Sequence, residues 1–477
     1  MLFNSIEFLL FLPLVFVLYW FVLNRSIKAQ NVLLLVASYF FYGWWDYRFL
    51  ALIGLSTIVD YFVGLALEKE GNLKLRKLLV ATSLTVNLGM LGFFKYYNFF
   101  IESWVEAWAT LGVEMHASTL QIILPIGISF YTFQTLSYTF DIYRNKLKPT
   151  ANFINFAAFV AFFPQLIAGP IERAANLLPQ ISVKRVFNFE RAISGFHLIL
   201  WGLFKKIVIA DSCATYVNTI FDNYQDMNSM TLLLGVVYFS FQIYGDFSGY
   251  TDIATGTARL FGFELSRNFN HPYFSRDIAE YWRRWHITLF SWFRDYVYIP
   301  LGGSRGSKAN QIRNVFIVFF IGGLWHGANW NMVVYSLLHA VFFLPLLLRK
   351  KNRKNLDQVA KNTMLPSFKE LLQIILTFSL VSLARVVFRA DSIPIALGYY
   401  KRIFFNFGFD IQHLVIDRYS VEILVLLGLF VLIEWFNRMY EHPFRGKLKL
   451  VKVISVIALL LSLGVYSDYQ QFIYFQF

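Results

Sequence analysis

The sequence predicts an all-α protein that crosses a membrane many times, and both its composition and its residue order indicate this class. Of the 477 residues, 57% are hydrophobic, 19% are aromatic and only 15% are charged. Soluble domains average about 25% charged residues. Lys and Arg lie in short clusters between apolar runs, as they do in the cytoplasmic loops of membrane proteins. Since no linker or low-complexity tract divides the chain, we expect a single membrane domain over residues 1–477.

The formal net charge of +14 does not indicate a nucleic-acid-binding protein, because the basic residues are divided among short loops. The single cysteine, Cys213, excludes an intramolecular disulfide and a thiolate metal site. The chain has neither the H-E-x-x-H pattern of zinc enzymes nor the glycine-rich lysine loop that binds nucleotide phosphates. We therefore expect no metal site, no bound cofactor and no nucleic-acid partner.

Apolar runs of the length that a bilayer requires recur along the whole chain. A helix needs about 20 mainly apolar residues to cross, and the first run lacks the features of a cleaved signal peptide. The candidate runs are residues 7–23, 31–44, 49–67, 78–94, 120–138, 153–168, 193–210, 232–247, 315–325, 332–348, 371–387, 421–435 and 453–466. Because several are short or polar, we expect about eleven to thirteen transmembrane helices.

The charged loops predict which side of the membrane each end faces. Basic residues follow the first, third and fifth runs and precede the last, whereas the loop after the fourth run is acidic. The basic loops contain Arg25, Lys28, Lys69, Lys74, Arg76, Arg144, Lys146, Arg438, Arg445 and Lys447, and the acidic loop contains Glu102, Glu106 and Glu114. This pattern predicts that both ends lie outside, which requires an even number of crossings.

Residues 278–298 are predicted to form one helix with two faces. The apolar stripe consists of Trp282, Trp285, Leu289 and Trp292, and the polar stripe of Arg284, Thr288, Ser291 and Asp295. The polar face would let Arg284 attract Asp295, and His286 lies at the edge of the apolar stripe. Two interpretations stay open: an interfacial amphipathic helix with an aromatic belt, or a helix that lines a polar funnel on the cytoplasmic side.

The run between Arg313 and Arg349 carries, apart from tyrosines, only two ionisable side chains, His326 and His339. Three glycines surround His326 in residues 322–329 (GGLWHGAN), which predicts a broken or closely packed helix. An ionisable residue at this depth is a functional candidate, and the alternative is a neutral histidine hydrogen-bonded between helices. Packing or a helix–helix hydrogen bond is the expected role of His197 and His339, and solvation that of His116, His413 and His442.

Several segments, in this order, resemble the motifs of the membrane-bound O-acyltransferase family, in the bacterial branch of the alginate O-acetylases and the teichoic acid D-alanyl transferases. They are residues 169–173 (GPIER), 244–252 (YGDFSGYTD), 281–286 (YWRRWH) with 293–296 (FRDY), 299–303 (IPLGG) and 324–327 (LWHG). The first five residues, MLFNS, and the aromatic C-terminus look most similar to the alginate-acetylase branch. The core motifs fall within residues 160–345, and the C-terminal helix and tail within 453–477.

The resemblance implies a ring-shaped helical fold with a thin centre, where a cytoplasmic and an outer funnel meet. It assigns the family's principal catalytic histidine to His326 and its second polar position to His286. It also implies that Arg283, Arg284 and Asp295 organise the cytoplasmic funnel. Further substrate contacts are expected from Asp246, Trp325, Asn329 and Glu172.

The implied reaction suits a histidine. Transfer of an acyl group to a hydroxyl requires removal of the hydroxyl proton, and imidazole titrates near neutral pH, as a general base must. The resemblance thus predicts an O-acyltransferase of the bacterial inner membrane that moves acetyl, or a similar short acyl group, toward an extracytoplasmic glycan. The donor would be acetyl-coenzyme A or an acyl-carrier protein. The resemblance also implies a partner of the SGNH-hydrolase type outside the membrane, in addition to the membrane lipids.

The last six residues, 472–477 (FIYFQF), are uncharged and aromatic, which is unusual for a solvated terminus. They resemble the aromatic C-terminal motif of this branch, or that of a small partner peptide in the D-alanyl system. We expect this tail to enter the outer funnel and Tyr474 to act as a transient acyl carrier. The alternative is an aromatic anchor at the membrane interface.

Two other functions are compatible with many spans and intramembrane polar groups. One is a transporter or flippase for a lipid-linked glycan, which would share the broken helices. The other is a scaffold that only anchors a cell-envelope acylation complex. The pair of His286 and His326 inside ordered motifs favours the enzyme, because neither alternative requires those two side chains.

Overall fold

The computed structural model describes residues 1–115, 117–409, 422–466 and 472–473. Within these ranges the regular elements are all helical and no strand is present, which confirms the predicted all-α class. The described part contains six helical segments that are long and apolar enough to cross a membrane, and a shorter apolar helix at Ile6–Val22. The six are Tyr47–Lys69, Leu73–Ala109, Phe189–Asp222, Ser229–Leu260, Trp330–Leu348 and Phe368–Arg389. The chain is therefore a multi-pass membrane protein, and the predicted number of crossings stays a prediction.

The chain divides into two compact units, one of Met1–Gly195 with Ala254–Ser266 and one of Phe196–Ile253 with Arg267–Phe477. The first unit contains helices α1 to α8: Ile6–Val17, Ile27–Gly43, Leu50–Lys69, Leu73–Leu91, Tyr97–Ala109, Ile128–Tyr143, Phe153–Val160 and Ala174–Ser182. Helices α9 (Phe189–Leu203) and α11 (Ser229–Leu260) each contribute to both units. The ring, the funnels and the single domain stay predictions.

A buried polar network fixes the helices of the first unit. Asp60 of α3 accepts hydrogen bonds from Ser83 and Asn87 of α4 and from Thr139 of α6. Water is absent from the interior of a bilayer, so polar side chains there are satisfied by other helices. This network explains how α3, α4 and α6 associate although much of their surface is apolar.

The second unit contains the remaining helices. They are α10 (Asp211–Asp222), α12 (Ile278–Arg284), α13 (Ile287–Phe293), α14 (Lys308–His326), α15 (Trp330–Leu348), α16 (Phe368–Arg389), α17 (Ile393–Phe405), α18 (Glu422–Phe436) and α19 (Lys449–Leu463). Ser and Asn side chains begin several of them: Ser307, Asn329 and Ser367 accept backbone hydrogen bonds at the starts of α14, α15 and α16. These caps hold the helices that carry the site.

Glycines bring α9 and α11 into backbone contact. A Cβ on Gly202 would lie 2.5 Å from the carbonyl oxygen of Gly249, and one on Gly249 would lie 2.7 Å from that of Gly202. Gly245 meets the carbonyl of Lys205 in the same way. The glycines of the 244–252 motif therefore serve helix packing inside a continuous helix. Directly after α9 the chain forms a π-helix, Phe204–Ala210, a feature that is frequent at functional sites.

The prediction of one helix over residues 278–298 is wrong, because the chain breaks at Trp285 and His286. His286 has φ 45° and ψ 51°, the left-handed conformation that interrupts a helix. An extended segment replaces the lost helical hydrogen bonds: the amide of Ile287 donates to Asn268 O, and the amide of Asn270 donates to Arg284 O, each at 2.9 Å. After α13 the chain continues as a π-helix, Arg294–Tyr298.

Helix α14 runs unbroken through Gly322 and Gly323, so the glycines before His326 permit close packing and do not break the helix. A Cβ on Gly323 would lie 2.7 Å from Val333 Cα and 2.8 Å from Met332 O of α15. The break comes after His326, at residues 327–329. Helices α14 and α15 thus form a tight hairpin with His326 at its turn.

Candidate functional site

His326 is the last residue of α14 and is only 6% exposed. Its imidazole packs edge-on against Tyr335 of α15 and Phe388 of α16, with ring centroids 6.2 and 5.9 Å apart. The hairpin turn and these two aromatic rings fix the direction of the side chain. The sequence therefore places a histidine at a buried helix end, where solvent does not compete for its proton.

His286 lies in the break between α12 and α13 and is completely buried. Its Nδ1 atom is 3.1 Å from Oδ1 of Asn268, and the same oxygen accepts hydrogen bonds from the amide and the hydroxyl of Thr288 at 3.2 and 2.9 Å. Because this oxygen is an acceptor for an N–H group of the backbone, His286 Nδ1 must donate to it. The neutral imidazole then carries its lone pair on Nε2, the atom that can take up a proton.

Trp325 brings the two histidines together. Its indole centroid is 5.4 Å from the His286 ring and 5.1 Å from the His326 ring. Phe247 of α11 closes the other side of His286 at 4.7 Å. Both imidazoles are buried among aromatic rings, which exclude water and strengthen electrostatic interactions. The structure thus brings together His286, Trp325 and His326, and their roles stay predictions.

Replacing Asn268 with alanine is expected to lower acyl transfer about tenfold, since each 1.4 kcal/mol of lost orientation raises the barrier by that factor. The change removes the acceptor that sets the tautomer of His286. The matched control is Asn270→Ala, because Asn270 makes its described hydrogen bonds through the main chain. Initial transfer rates at equal expression check this prediction, and equal rates for both variants would contradict it.

Asp246 lies beside a buried lysine, within α11. Lys206 forms ion pairs with Asp246 at 2.7 Å and with Asp211 at 2.8 Å. The second Asp246 oxygen accepts a hydrogen bond from the amide of Ile473 at 2.7 Å. Phe472 packs on Tyr250 at 4.6 Å and on Phe247 at 6.2 Å. Asp246 therefore contacts the C-terminal segment rather than an open cavity, while Tyr474 lies outside the described residues.

Arg283 and Arg284, expected to organise a substrate funnel, bind the loop that follows α15. Arg283 donates to the carbonyl oxygens of Asn352 and Asn355, both at 2.8 Å. Arg284 donates to the carbonyl oxygen of Asp357 at 3.1 Å and pairs with Glu280 at 2.8 Å. Arg438 binds the main chain of the same loop, because it donates to the carbonyl oxygens of Val359, Ala360 and Thr363. The guanidinium groups are thus engaged in holding this loop.

The predicted attraction between Arg284 and Asp295 is wrong. Asp295 pairs with its neighbour Arg294 at 2.6 Å, because the break at His286 and the π-helix after α13 remove the shared face. In the anchored loop, the hydrogen bond from Arg276 lowers the pKa of the Asp357 carboxyl. Arg276 also pairs with Glu280 at 3.0 Å, so this group of charges is structural.

Two further predicted residues have positions that suit a structural role. Glu172 belongs to the first unit, where it is buried and accepts hydrogen bonds from the amide and hydroxyl of Ser266. Burial raises the pKa of this carboxyl, although the bonds from Ser266 lower it. Asn329 is exposed and caps α15 by accepting from the amide of Asn331 at 2.9 Å. Sequence reasoning missed Asn268, because a single Asn ahead of the histidine motif gives no sign that its side chain binds the histidine.

The remaining histidines are placed as follows. His442 is 7% exposed and packs against His197 at 5.1 Å, so its expected solvation is wrong. His339 is fully buried in α15. His271, which the sequence analysis did not weigh, lies with Nδ1 2.7 Å from Glu434. His116 and His413 lie outside the described residues, and among those described no group of three or more His, Cys, Asp and Glu side chains could hold a metal ion.

Comparison with known proteins connects this geometry to a family. Residues 143–368 match the model of MBOAT, the membrane-bound O-acyltransferase family. A probable alginate O-acetylase of Azotobacter vinelandii is 37% identical over 452 residues, which cover 94% of this chain and 87% of that protein. A peptidoglycan O-acetyltransferase of Helicobacter pylori is 35% identical over 444 residues, covering 87% and 82%. A teichoic acid D-alanyltransferase of Bacillus subtilis is 27% identical over 283 residues, covering 57% and 70%.

The matched region contains His286, Trp325 and His326. Similarity at this level extends over nearly the full chain and includes proteins of one activity class. The chain therefore belongs to the membrane-bound O-acyltransferase family and is a membrane acyltransferase.

Proposed function

We propose that this protein takes an acetyl, or similarly short acyl, group from a cytoplasmic thioester and passes it to hydroxyls of an extracytoplasmic polysaccharide, with His326 as general base. The observation that carries the proposal is that His286 and His326 both pack against the ring of Trp325. They come from separate segments, and both are buried. Two imidazoles in an aromatic, water-poor site are suited to proton transfer during acylation.

The proposed chemistry divides the work between the two histidines. His326 takes the proton of the acceptor hydroxyl as its oxygen attacks the thioester carbonyl, and later returns a proton to the leaving thiolate. His286, with its lone pair on Nε2, assists in placing the donor or in moving the proton. No nucleotide hydrolysis is required, because the thioester already carries the energy of the transfer. We propose acetyl-coenzyme A as the donor, with an acyl-carrier protein as the alternative.

The acceptor class follows from the relatives, whose names concern alginate and peptidoglycan. We propose a polysaccharide outside the bacterial inner membrane, with both ends of the chain facing that side. A hydrolase-fold partner of the SGNH type would complete the transfer to the polysaccharide.

The C-terminal segment supports a role for Tyr474 as the acyl carrier. Its neighbour Ile473 is fixed by Asp246, and Phe472 touches Phe247, which itself packs on His286. A single aromatic ring, that of Phe247, thus separates the residues just before Tyr474 from His286. An interfacial anchor would require no such contacts with a buried aspartate.

Labelling of the protein itself tests both the donor and the carrier. Membranes that contain wild type, Tyr474→Phe or the matched control Tyr466→Phe are incubated with labelled acetyl-coenzyme A, or with the same acetyl group on a carrier protein. We expect a hydroxylamine-sensitive label on wild type and on Tyr466→Phe, and none on Tyr474→Phe. Full polysaccharide acetylation by Tyr474→Phe would contradict the carrier role. If the label appears only when the acetyl group is supplied on the carrier protein, the donor is the carrier protein and not acetyl-coenzyme A.

A further inference from the structure

Arg385 is a buried cation inside a helix that is long and apolar enough to cross the membrane. It lies in α16 and has no exposed surface. Its Nη1 donates to the hydroxyl of Tyr273 at 2.6 Å and its Nη2 to that of Tyr281 at 2.8 Å. The guanidinium also lies over the Trp285 ring, 4.8 Å from its centroid. The side chain is therefore held in one position from several sides.

The charge of Arg385 is not balanced by a carboxylate in the part of the chain that the structure describes. The described contacts of the guanidinium are with the hydroxyls of Tyr273 and Tyr281 and with the Trp285 ring, and its buried Nε atom has no hydrogen-bond partner in the described part of the chain. Arginine stays protonated in proteins, and burial of an unpaired charge is costly. By contrast, the buried Lys206 has two aspartates. An unbalanced intramembrane cation is a functional candidate.

Arg385 is connected to each histidine of the site through one intervening aromatic residue. Trp285, on which the guanidinium lies, is the residue immediately before His286. The hydroxyl of Tyr335 interacts with Arg385, and the Tyr335 ring packs edge-on against His326. Three tyrosines and a tryptophan thus surround this cation, and two of these four residues adjoin the imidazoles.

We propose that Arg385 is a positioning residue for acyl transfer, whose buried charge, acting through the Tyr335 hydroxyl, stabilises the negative charge that develops on the acyl carbonyl oxygen. The acceptor oxygen bonds to the carbonyl carbon, the C=O electron pair moves to oxygen, and the proton goes to His326. The oxyanion then re-forms C=O, the C–S bond breaks, and the thiolate takes the proton from His326. Preorganised charge directed at such an oxyanion lowers the barrier strongly in a water-poor site.

The competing role is purely mechanical, with Arg385 as the support on which Tyr273, Tyr281 and Trp285 rest. The two roles differ in what they require of the side chain. A mechanical support needs the planar fork of arginine, which lysine does not supply. An electrostatic role needs the charge, which lysine retains. A comparison of Arg385→Lys with Arg385→Gln therefore separates them.

The experiment measures steady-state transfer from the donor in membranes and the melting temperature of each variant purified in detergent. We expect Arg385→Gln to lower kcat about 10²-fold, as loss of one oxyanion-stabilising group does, with the donor KM unchanged. Arg385→Lys is expected to stay within about tenfold of wild type, which is about 1.4 kcal/mol of barrier. Equal losses in Lys and Gln variants, or a loss confined to KM, would overturn the proposal.

Tyr335→Phe provides an independent measurement should Arg385→Gln fail to fold. It removes only the hydroxyl between Arg385 and His326, and we expect kcat to fall while KM and melting temperature hold. An unchanged kcat would overturn the proposal. The inference rests on the proposed acyl transfer at His326, and the two fail differently. If His326→Ala retains activity, the proposed role of His326 as general base is refuted. If His326→Ala is inactive and Arg385→Gln has wild-type activity, only the proposed role of Arg385 is refuted.

Discussion

Replacing His326 with alanine is expected to abolish measurable acyl transfer, with a rate loss of about 10²- to 10⁴-fold, because that is what a positioned general base contributes. His326 is buried at the turn between α14 and α15, and its neighbours Trp325, Tyr335 and Phe388 are aromatic. None of these rings can take over proton transfer at neutral pH. The measurement is transfer of labelled acetyl from the donor, in membranes that contain equal amounts of each variant.

Two variants make the His326 result specific. His442→Gln removes another buried histidine, which packs on His197 and not on the site, and should retain wild-type activity. His286→Ala should lower the rate less than His326→Ala, since His286 is proposed to assist. Equal labelling by wild type and His326→Ala would remove His326 from the mechanism. Equal damage from His442→Gln would show that the loss reflects folding.

Gly323→Ala is expected to have the second largest effect, although alanine is the better helix former. The new methyl group would meet backbone atoms of Val333 and Met332 at 2.7 and 2.8 Å, and backbone cannot move aside as a flexible side chain can. Overpacking of this kind costs about 1–3 kcal/mol. Since Gly323 lies one turn before His326, separation of α14 from α15 also displaces the imidazole, and a 1 Å displacement can cost about 10²-fold in rate.

Gly322→Ala is the matched control, one residue earlier in the same helix. A Cβ there would meet only Phe293 Cε2, at 3.7 Å, which is an ordinary contact. We expect this variant to be neutral or slightly more stable, by up to about 1 kcal/mol from helix propensity. Melting temperatures in detergent and initial transfer rates together check the pair. Indistinguishable behaviour of the two alanine variants would mean that α14 and α15 are not packed as described.

The class of fold could be predicted from sequence because the bilayer imposes a simple rule: apolar runs of fixed length become helices. The break at His286 could not. Residues 278–298 have regular helical periodicity, and the hydrogen bonds that stop the helix come from the main chain of Asn268 and Asn270. Local pattern carries no information about such a partner segment.

The site was predictable to the extent that its chemistry is unusual in a membrane. His326 stood out as an ionisable side chain in an apolar run, and the ordered motifs added His286. The funnel role of Arg283 and Arg284 was implied by the family resemblance and stays a prediction. The carbonyl groups that they bind could not be foreseen, because these lie about seventy residues later in a loop without a pattern of its own. Arg385 was overlooked because one charge does not disturb an apolar run.

The arginine-held loop after α15 has a consequence for how its sequence can change over generations. Arg283 and Arg438 recognise main-chain carbonyl oxygens, which every amino acid supplies. A substitution at Asn352 leaves its carbonyl acceptor in place, so we expect the loop to tolerate a change of side chain there. Insertion or deletion of a residue there would move the carbonyl oxygens away from the guanidinium groups that bind them. The loop is therefore constrained in its length throughout, and in its composition at side chains such as Asp357, which pairs with Arg276.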